Sequence, residues 1–317
     1  MSQPPTGDTR RSTAAAGMLV VTNEAAGRTE GDALDAAIDE LRSGGDVEVA
    51  SCRQDTDLGP TLDRRGDRLL VVVGGDGSLH TSLKYLWRRG EAARCVVGLI
   101  PLGTGNDFAR GTGIPLDPRE AARLIVQGAS RPVDLVTDDS GGVVVNAVHV
   151  GVGAEAAEAA RPLKRRLRQA AFPVGALLAG VRTRGWRLRI TLDGALVADG
   201  TRRVLMAGVA NARSIAGGTA VLGPDASPTD GAFDVTVSFA VRPLARLGYG
   251  LRLVRGRHPE HPDVVYRAGR SLTVEGEPFH TNADGELAGP VTRRTWALRP
   301  AAWRCVLPGA GCSIDPR

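Results

Sequence analysis

Residues 69–78 read LLVVVGGDGS, a run of branched apolar residues that ends in glycines, an aspartate and a serine. An uninterrupted apolar run of this length is typical of a strand that is buried on both faces of a parallel sheet. Glycine then breaks the strand, because it tolerates positive φ and lets the backbone approach a ligand closely. The stretch therefore predicts a buried strand whose carboxyl end opens into a binding loop.

The segments around this strand change in type along the chain. From Met18 the sequence alternates short apolar runs with helical patterns, which favours a doubly wound parallel α/β sheet. After Val133 the strands are closely spaced and separated by turns, which favours an antiparallel β sandwich. The stretch RPVDLVTDDSGG, which begins at residue 131 and holds Pro, Asp, Ser and Gly together, predicts a boundary between the two near residues 131–140.

Three parts follow from this change. We predict a disordered arm over residues 1–16, which are polar and Pro-rich, and an α/β domain over residues 17–137. A β-rich domain over residues 138–312 follows, and its last strand can return to the first domain. We find no internal repeat.

Composition narrows the class of partner. The net charge of +5 and a pI of about 9.4 favour an anionic partner. Aromatic residues make up only 4% of the chain, which is too few for the stacking platforms of single-stranded nucleic-acid binders, so we expect no nucleic-acid partner. The scattered cysteines and the absence of an apolar N-terminal segment predict a cytoplasmic location.

The turn after the opening strand carries a candidate phosphate site. Gly74, Gly75 and Gly77 leave room for a phosphate group, and the amides at the start of the next helix point toward an anion. Asp76 would repel bare phosphate, so it predicts a divalent cation, most simply Mg²⁺. Ser78 supplies a hydroxyl to the phosphate or to the hydration shell of the metal. Taken by itself, the pentapeptide also fits an ordinary glycine-rich strand end with an aspartate cap.

A second turn of the same kind follows the next strand. Residues 95–111 read CVVGLIPLGTGNDFARG and offer Gly103, Thr104, Asn106 and Asp107. Because neighbouring parallel strands end at the same edge of a sheet, the two turns predict one nucleotide site. Asn23, after the first strand, is a weaker candidate that either contacts base or ribose or forms a plain turn. No GxGxxG or GxxxxGK[ST] motif occurs at these turns, which argues against dinucleotide oxidoreductases and P-loop NTPases.

The third candidate lies near the C-terminus, where residues 276–290 read GEPFHTNADGELAGP. Asp-Gly is a strong hairpin signal, so a plain turn is one interpretation. The other is that Asp284 acts as a general base in phosphoryl transfer to a hydroxyl, with Glu286 beside it. The second interpretation requires the β-rich domain to bring Asp284 over the crevice of the α/β domain.

The motifs GGDGS, PLGTGNDFAR and ADGEL in this order, with Asn23 and Gly27 before them, resemble the diacylglycerol kinase catalytic family. That family includes bacterial soluble lipid kinases and the sphingosine and ceramide kinases. The resemblance implies a nucleotide-binding domain like those of NAD kinase and 6-phosphofructokinase, followed by a β-sandwich domain. It also implies that ATP and Mg²⁺ bind between them and that a lipid hydroxyl, most simply that of diacylglycerol, is phosphorylated to give phosphatidic acid.

The resemblance also assigns roles by position. It makes Asp284 the base, with Glu286 supporting the metal or the base, and places Asn23 near the nucleoside. It implies metal-linked roles for Asp134 and Asp230, although a β-turn aspartate is an equally simple interpretation of the latter. The positions implied for nucleotide phosphate and metal are Gly75, Asp76, Gly77, Ser78, Thr104, Asn106 and Asp107.

One departure from the family pattern lies next to the first turn. His80 and Thr81 stand where many bacterial relatives carry Asn and Glu. We expect His80 to be a helix-face residue rather than a catalyst. The departure keeps a catalytically silent nucleotide- or lipid-binding protein open as an alternative. An NAD kinase-like soluble-metabolite kinase is the other alternative, and it is weakened by GTGNDFAR and by the C-terminal Asp-Gly-Glu.

Contact with a membrane is predicted for residues 161–189, which hold nine basic residues, no acidic ones and the apolar run AAFPVGALLAGV. This pattern favours an interfacial helix on the anionic inner face of the membrane, and a buried helix with solvated ends is the alternative. The apolar run is too short to span a bilayer. We also consider a homodimer, formed by pairing of the strand FDVTVSFAV at residues 233–241.

Overall fold

The computed structural model describes residues 17–23, 31–52, 55–152, 154 and 184–309. The predicted arm at residues 1–16 and residues 161–183 of the predicted membrane segment lie outside these ranges. For Asn23 only the backbone is described, and it ends the first strand.

The α/β architecture predicted for the first half is confirmed. Its four strands are parallel and lie in the order β2-β1-β3-β4. Every residue of β3 is buried, as a strand covered on both faces requires. The strands are β1 (Met18–Asn23), β2 (Val47–Cys52), β3 (Leu69–Gly74) and β4 (Val96–Pro101). The helices are α1 (Gly31–Arg42), α2 (Asp55–Asp63), α3 (Asp76–Arg88), α4 (Asp107–Thr112) and α5 (Pro118–Gln127).

The second half is the predicted β sandwich, with antiparallel pairing inside it. One helix, α6 (Pro243–Val254), packs on it. Its first strands are β5 (Ala129–Asp138), β6 (Val143–Val144), β7 (Ala147–Gly151), β8 (Trp186–Leu192), β9 (Ala195–Val204) and β10 (Met206–Ala210). Its remaining strands are β11 (Ser214–Ile215), β12 (Ala220–Val221), β13 (Phe233–Ser238), β14 (Val264–Gly269), β15 (Ser271–Ala283) and β16 (Glu286–Leu307).

Strand β16 connects the two halves. It pairs antiparallel with β15 and β5, and near its end Arg304 and Cys305 pair in parallel with β4. Trp303 and Val306 of the same strand are buried in the hydrophobic core of the α/β half. The two halves therefore share one continuous hydrogen-bonded sheet, which fixes their relative position at the crevice.

Residues 131–138, in the stretch predicted to hold the domain boundary, form most of β5, with Val133 and Leu135 buried in the first core and Val136 in the second. The position of the domain boundary stays a prediction. Strand β13 cannot pair across a two-fold axis, because β10 and β14 already occupy both of its edges. A homodimer, if formed, must use another surface.

Within the described ranges, no helix has the length and apolar character needed to cross a bilayer.

Candidate active site

The two glycine turns touch each other at the edge of the sheet. A Cβ atom added to Gly103 would lie 2.4 Å from the Cα atom of Gly75, and one added to Gly75 would lie 3.0 Å from the Cα atom of Gly103. Any side chain at Gly103 would therefore overlap the neighbouring backbone. The turns after β3 and β4 form one surface, as the shared edge of parallel strands predicts.

Asn106 holds the second turn in shape. Its backbone is left-handed, at φ 54°, a conformation that asparagine tolerates better than most residues. Its side-chain oxygen accepts from the backbone N–H of Gly103 at 3.0 Å, and its amide donates to the Gly103 carbonyl at 2.7 Å. Thr104, between them, is exposed at the rim.

Asp76 links the two turns. It is the first residue of α3, and its carboxylate accepts from the backbone N–H groups of Asp107 and Phe108, at 2.9 Å each. These groups belong to the first turn of α4, where unpaired N–H donors favour a carboxylate. The side chain thus caps the neighbouring helix, and the residue remains partly exposed to the crevice.

Asn146 joins this carboxylate to the third candidate motif. Its side-chain amide donates to Asp76 Oδ1 at 3.1 Å, and its backbone N–H donates to Asp284 Oδ1 at 2.9 Å. Its side-chain oxygen is buried and has no hydrogen-bond partner in the described part of the chain. The sequence analysis missed this residue, whose only signal is an amide inside the apolar run VVVNAVHVG.

Asp284 lies in a two-residue hairpin turn between β15 and β16, with positive φ at both Asp284 and Gly285. Its carboxylate accepts from the backbone N–H groups of Val145, Asn146 and Ala147 at 2.6, 2.9 and 3.0 Å. The side chain has no exposed surface. Burial raises the pKa of the Asp284 carboxyl, whereas His80 and the amides act in the opposite direction.

Helix α3 contacts the hairpin at two positions four residues apart. His80 Nδ1 lies 3.6 Å from Asp284 Oδ2, and Lys84 Nζ lies 2.9 Å from Glu286 Oε2. The hydrogen bond from Lys84 lowers the pKa of Glu286. His80 lies on a helix face as expected, but that face is buried against Asp284 and its Nε2 has no partner among the described residues. The sequence analysis missed this contact.

Asp107 bonds to the β sandwich. Its carboxylate accepts from the Ser214 hydroxyl at 3.0 Å and from the backbone N–H groups of Gly217 and Gly218 at 2.9 and 2.8 Å. Burial raises the pKa of this carboxyl, and the nearby Asp76 carboxylate acts in the same direction. The side chain therefore fastens the second glycine turn to the β11–β12 hairpin.

The other two predicted metal residues bond elsewhere. Asp134 is buried and accepts from the backbone N–H groups of Gly231 and Ala301, both at 2.8 Å. Asp230 is exposed and accepts from the N–H of Ala232 at 3.0 Å, the pattern of a turn aspartate. Across the described ranges, no three His, Cys, Asp or Glu side chains group closely enough to hold a metal ion.

A cavity of about 340 Å³ opens beside the first turn, at the carboxyl ends of β1, β2 and β3. Gly77 and Ser78 line one side, and Thr81 lies next to them. Ser78 Oγ packs over Gly74, where an added Cβ would lie only 2.4 Å away. The rest of the lining is apolar or small: Val21, Thr22, Cys52, Leu58, Val72, Val73 and Ser82. The volume is in the range of small-ligand sites.

Comparison with known proteins identifies the class. Residues 17–137 match the diacylglycerol kinase catalytic domain, and residues 146–307 match the YegS C-terminal NAD kinase beta sandwich-like domain. This fold and these matches define a phosphotransferase that acts on an alcohol group. The chain belongs to the diacylglycerol kinase catalytic family.

Individual relatives agree with this assignment. A diacylglycerol kinase of Mycobacterium tuberculosis is 31% identical over 260 residues, which cover 78% of this chain and 79% of the relative. A probable lipid kinase YegS-like protein of Stenotrophomonas maltophilia is 31% identical over 93% of this chain and 97% of its own. The crystal structure of a putative diacylglycerol kinase from Bacillus anthracis shares the fold, with a TM-score of 0.75 and 22% identity over 93% of this chain and 96% of its own.

Proposed function

We propose that this protein is an ATP- and Mg²⁺-dependent lipid kinase that transfers the γ-phosphoryl group of ATP to the hydroxyl of diacylglycerol, giving phosphatidic acid. The observation that carries the proposal is Asn146, which bonds to Asp76 of the α/β half and to Asp284 of the sandwich at once. Phosphoryl transfer needs a metal-bound phosphate and a base on opposite sides of one reacting group. We propose that Asp76 and Asp284 serve as this pair.

The nucleotide is proposed to bind along the two turns. The N-terminus of α3, with Gly75 and Gly77 before and within its first turn, offers backbone N–H groups to phosphate oxygens. Ser78 adds a hydroxyl from the wall of the cavity. The cavity itself extends away from the turns toward Thr22, where the nucleoside would lie, next to Asn23.

The donor set at the crevice fits magnesium. Asp76 is a partly exposed carboxylate, and the unpartnered Oδ1 of Asn146 is a neutral oxygen beside it. Carboxylate, amide and phosphate oxygens are the ligands that Mg²⁺ prefers. When bound, the metal would neutralise charge on the phosphates. Because Asp107 and Asp134 are buried, whereas Asp76 is partly exposed, we propose positioning roles for the first two.

Asp284 is proposed to accept the proton of the acceptor hydroxyl. Burial raises its pKa, so the carboxylate is more basic than an exposed one. Because the side chain has no exposed surface, an acceptor hydroxyl reaches it only if the hairpin separates from α3 at the His80 and Lys84 contacts. His80 is therefore proposed as a positioning residue that holds Asp284 until the acceptor enters.

The choice of a lipid acceptor rests on the relatives. Those that cover most of this chain are named diacylglycerol kinase or probable lipid kinase. We therefore place diacylglycerol first among the acceptors, and we propose that the enzyme acts at the cytoplasmic face of a membrane, where both ATP and diacylglycerol are present.

The test is a phosphorylation assay with radiolabelled ATP, Mg²⁺ and a panel of acceptors. The panel contains diacylglycerol, a sphingoid base, ceramide, a polyprenol and NAD. The proposal expects labelled phosphatidic acid from diacylglycerol and no product without Mg²⁺. Label on NAD alone would indicate a soluble-metabolite kinase, and label on no acceptor would indicate a silent binding protein.

A further inference from the structure

Helix α6 exposes a stripe of apolar side chains to solvent. Leu244 is 85% exposed, Leu247 61%, Leu251 51% and Val254 57%. These four residues, which we call the apolar stripe, are spaced i, i+3, i+7 and i+10 and so lie within about 80° of arc on the helix. The other large apolar residues exposed in the described ranges lie in other segments: Val49 in β2, Leu116 between α4 and α5, and Leu196 in β9. A contiguous stripe of this kind marks an interaction surface.

The stripe is not a core face turned the wrong way, because the opposite face of α6 is already packed. Tyr249 is 3% exposed, and its hydroxyl lies 3.9 Å from Met206 Sδ. Ala245 and Leu253 are partly buried against the same core cluster. That cluster also contains Ala147, whose N–H binds the Asp284 carboxylate. The helix is therefore fixed to the part of the sandwich that carries the proposed base.

The charged residues of the α6 segment are all basic. Residues 239–257 contain no Asp or Glu, and the next two acidic residues toward the C-terminus are ion-paired, Glu260 with Arg257 and Asp263 with Arg202. Arg242 and Arg255, at the two ends of α6, are exposed. The arginines of this segment are Arg242, Arg246, Arg252, Arg255 and Arg257.

We propose that α6 docks on an anionic lipid surface, with the apolar stripe in the acyl boundary and the exposed Arg242 and Arg255 at its ends on lipid phosphates. Interfacial helices combine an exposed apolar face with arginine or lysine at its border in this way. A second copy of the chain is the less favoured occupant, because stripe-to-stripe pairing would bring like-charged arginines together. The choice of a lipid surface rests in part on the proposed function, since the acceptor resides in the bilayer.

The test measures vesicle binding by co-sedimentation of the full chain. Vesicles of phosphatidylcholine alone are compared with vesicles that also contain phosphatidylglycerol, across a salt series. The variant is Leu247→Gln/Leu251→Gln, whose side chains are exposed, and the matched control is Leu116→Gln/Leu196→Gln, with two exposed leucines on other elements. We expect binding to anionic vesicles that weakens with salt, and a partition coefficient at least about ten-fold lower for the stripe variant only.

Three results would overturn the inference. They are a wild-type chain that ignores anionic vesicles, a stripe variant that binds as wild type does, or a stripe variant that only converts a dimer to a monomer in sedimentation velocity. Turnover of a short-chain, water-soluble diacylglycerol separates this inference from the proposed function, because the stripe variant should keep wild-type turnover there. If the wild type phosphorylates no lipid yet binds through the stripe, the proposed function fails and the inference stands.

Discussion

Two hairpins in the sandwich have the same Asp-Gly turn, but their aspartate side chains lie in different environments. Asp193-Gly194 and Asp284-Gly285 are both two-residue turns with positive φ at each residue. Asp193 is exposed and accepts from the backbone N–H groups of Arg270 and Ser271, at the opposite end of β15. A strand of 13 residues separates the two turns by about 40 Å.

The difference lies in what each carboxylate meets. Asp193 bonds to the start of the adjacent strand, whereas the Asp284 carboxylate bonds to residues 145–147 and lies against His80. The same local signal thus makes a plain turn at one end of β15 and a buried acid beside the crevice at the other. The local sequence determines the backbone conformation of the turn, whereas residues distant in sequence determine the environment of its aspartate side chain.

The largest difference between the two hairpins is expected when each aspartate is neutralised in a separate variant. Asp284→Asn should lower kcat by roughly two to four orders of magnitude, because it removes the proposed base, and should leave ATP binding nearly unchanged. Asp193→Asn is the matched control and should keep wild-type kcat. Steady-state kinetics and ATP titration measure both. Near-normal turnover in Asp284→Asn would put the base elsewhere.

A second substitution tests whether the site needs the Asp76 carboxylate as well as Asp284. Asp76→Asn should weaken the apparent affinity for Mg²⁺ by about 10- to 100-fold, since it removes the proposed charged ligand beside Asn146. Asp117→Asn is the control, because the Asp117 carboxylate also accepts from a helix N-terminal amide but lies at α5. Titrating Mg²⁺ at fixed ATP gives the constants. An equal loss of Mg²⁺ affinity in both variants would mean that Asp76 acts only as a helix cap.

The pH dependence of activity tests the contact between His80 and Asp284, which belongs to only one of the two hairpins. The Coulomb interaction with His80 lowers the pKa of Asp284 and opposes the effect of burial, so His80→Asn should raise that pKa. A base is active when deprotonated, and activity is lost as pH falls through its pKa. The acid limb of the kcat/KM profile should therefore move to higher pH, while Lys84→Gln, on the same face of α3, should leave that limb in place. An unmoved limb in His80→Asn would separate His80 from the proton transfer.

The smallest effect compares the two glycines. Gly194 and Gly285 have φ of 83° and 91°, and an added Cβ would meet no atom within 4 Å at either. Alanine should therefore lower the free energy of unfolding by about 1 kcal/mol at both, through backbone strain alone. Thermal melts measure this loss. Only Gly285→Ala should also lower kcat, because only that turn aims a proposed base, and equal kcat in the two variants would contradict this.

Much of the fold follows from the sequence because its signals are local. The buried strand β3, the Asp-Gly hairpin and the contact of Gly75 with Gly103 depend on residue type and on the shared edge of parallel strands. Asn146 and His80 could not be predicted, because their roles arise from contacts between segments 70 or more residues apart.

The exposed apolar face of α6 could not be predicted from the sequence either. The leucines and arginines of α6 are visible in PLARLGYGLRLVRGR, but sequence alone does not tell which face of a helix is packed. Tyr249 settles the orientation, since it is buried on the face opposite the stripe. The membrane contact was predicted instead at residues 161–189, where the basic residues are more numerous.

A crystal structure with Mg²⁺ and a non-hydrolysable ATP analogue tests the central claim most directly. The account predicts triphosphate density along residues 75–78 and the turn at residues 103–107, with the metal between Asp76 and the phosphates and the terminal phosphate on the Asp284 side. A nucleotide bound away from both glycine turns, or a terminal phosphate that points away from Asp284, would contradict it.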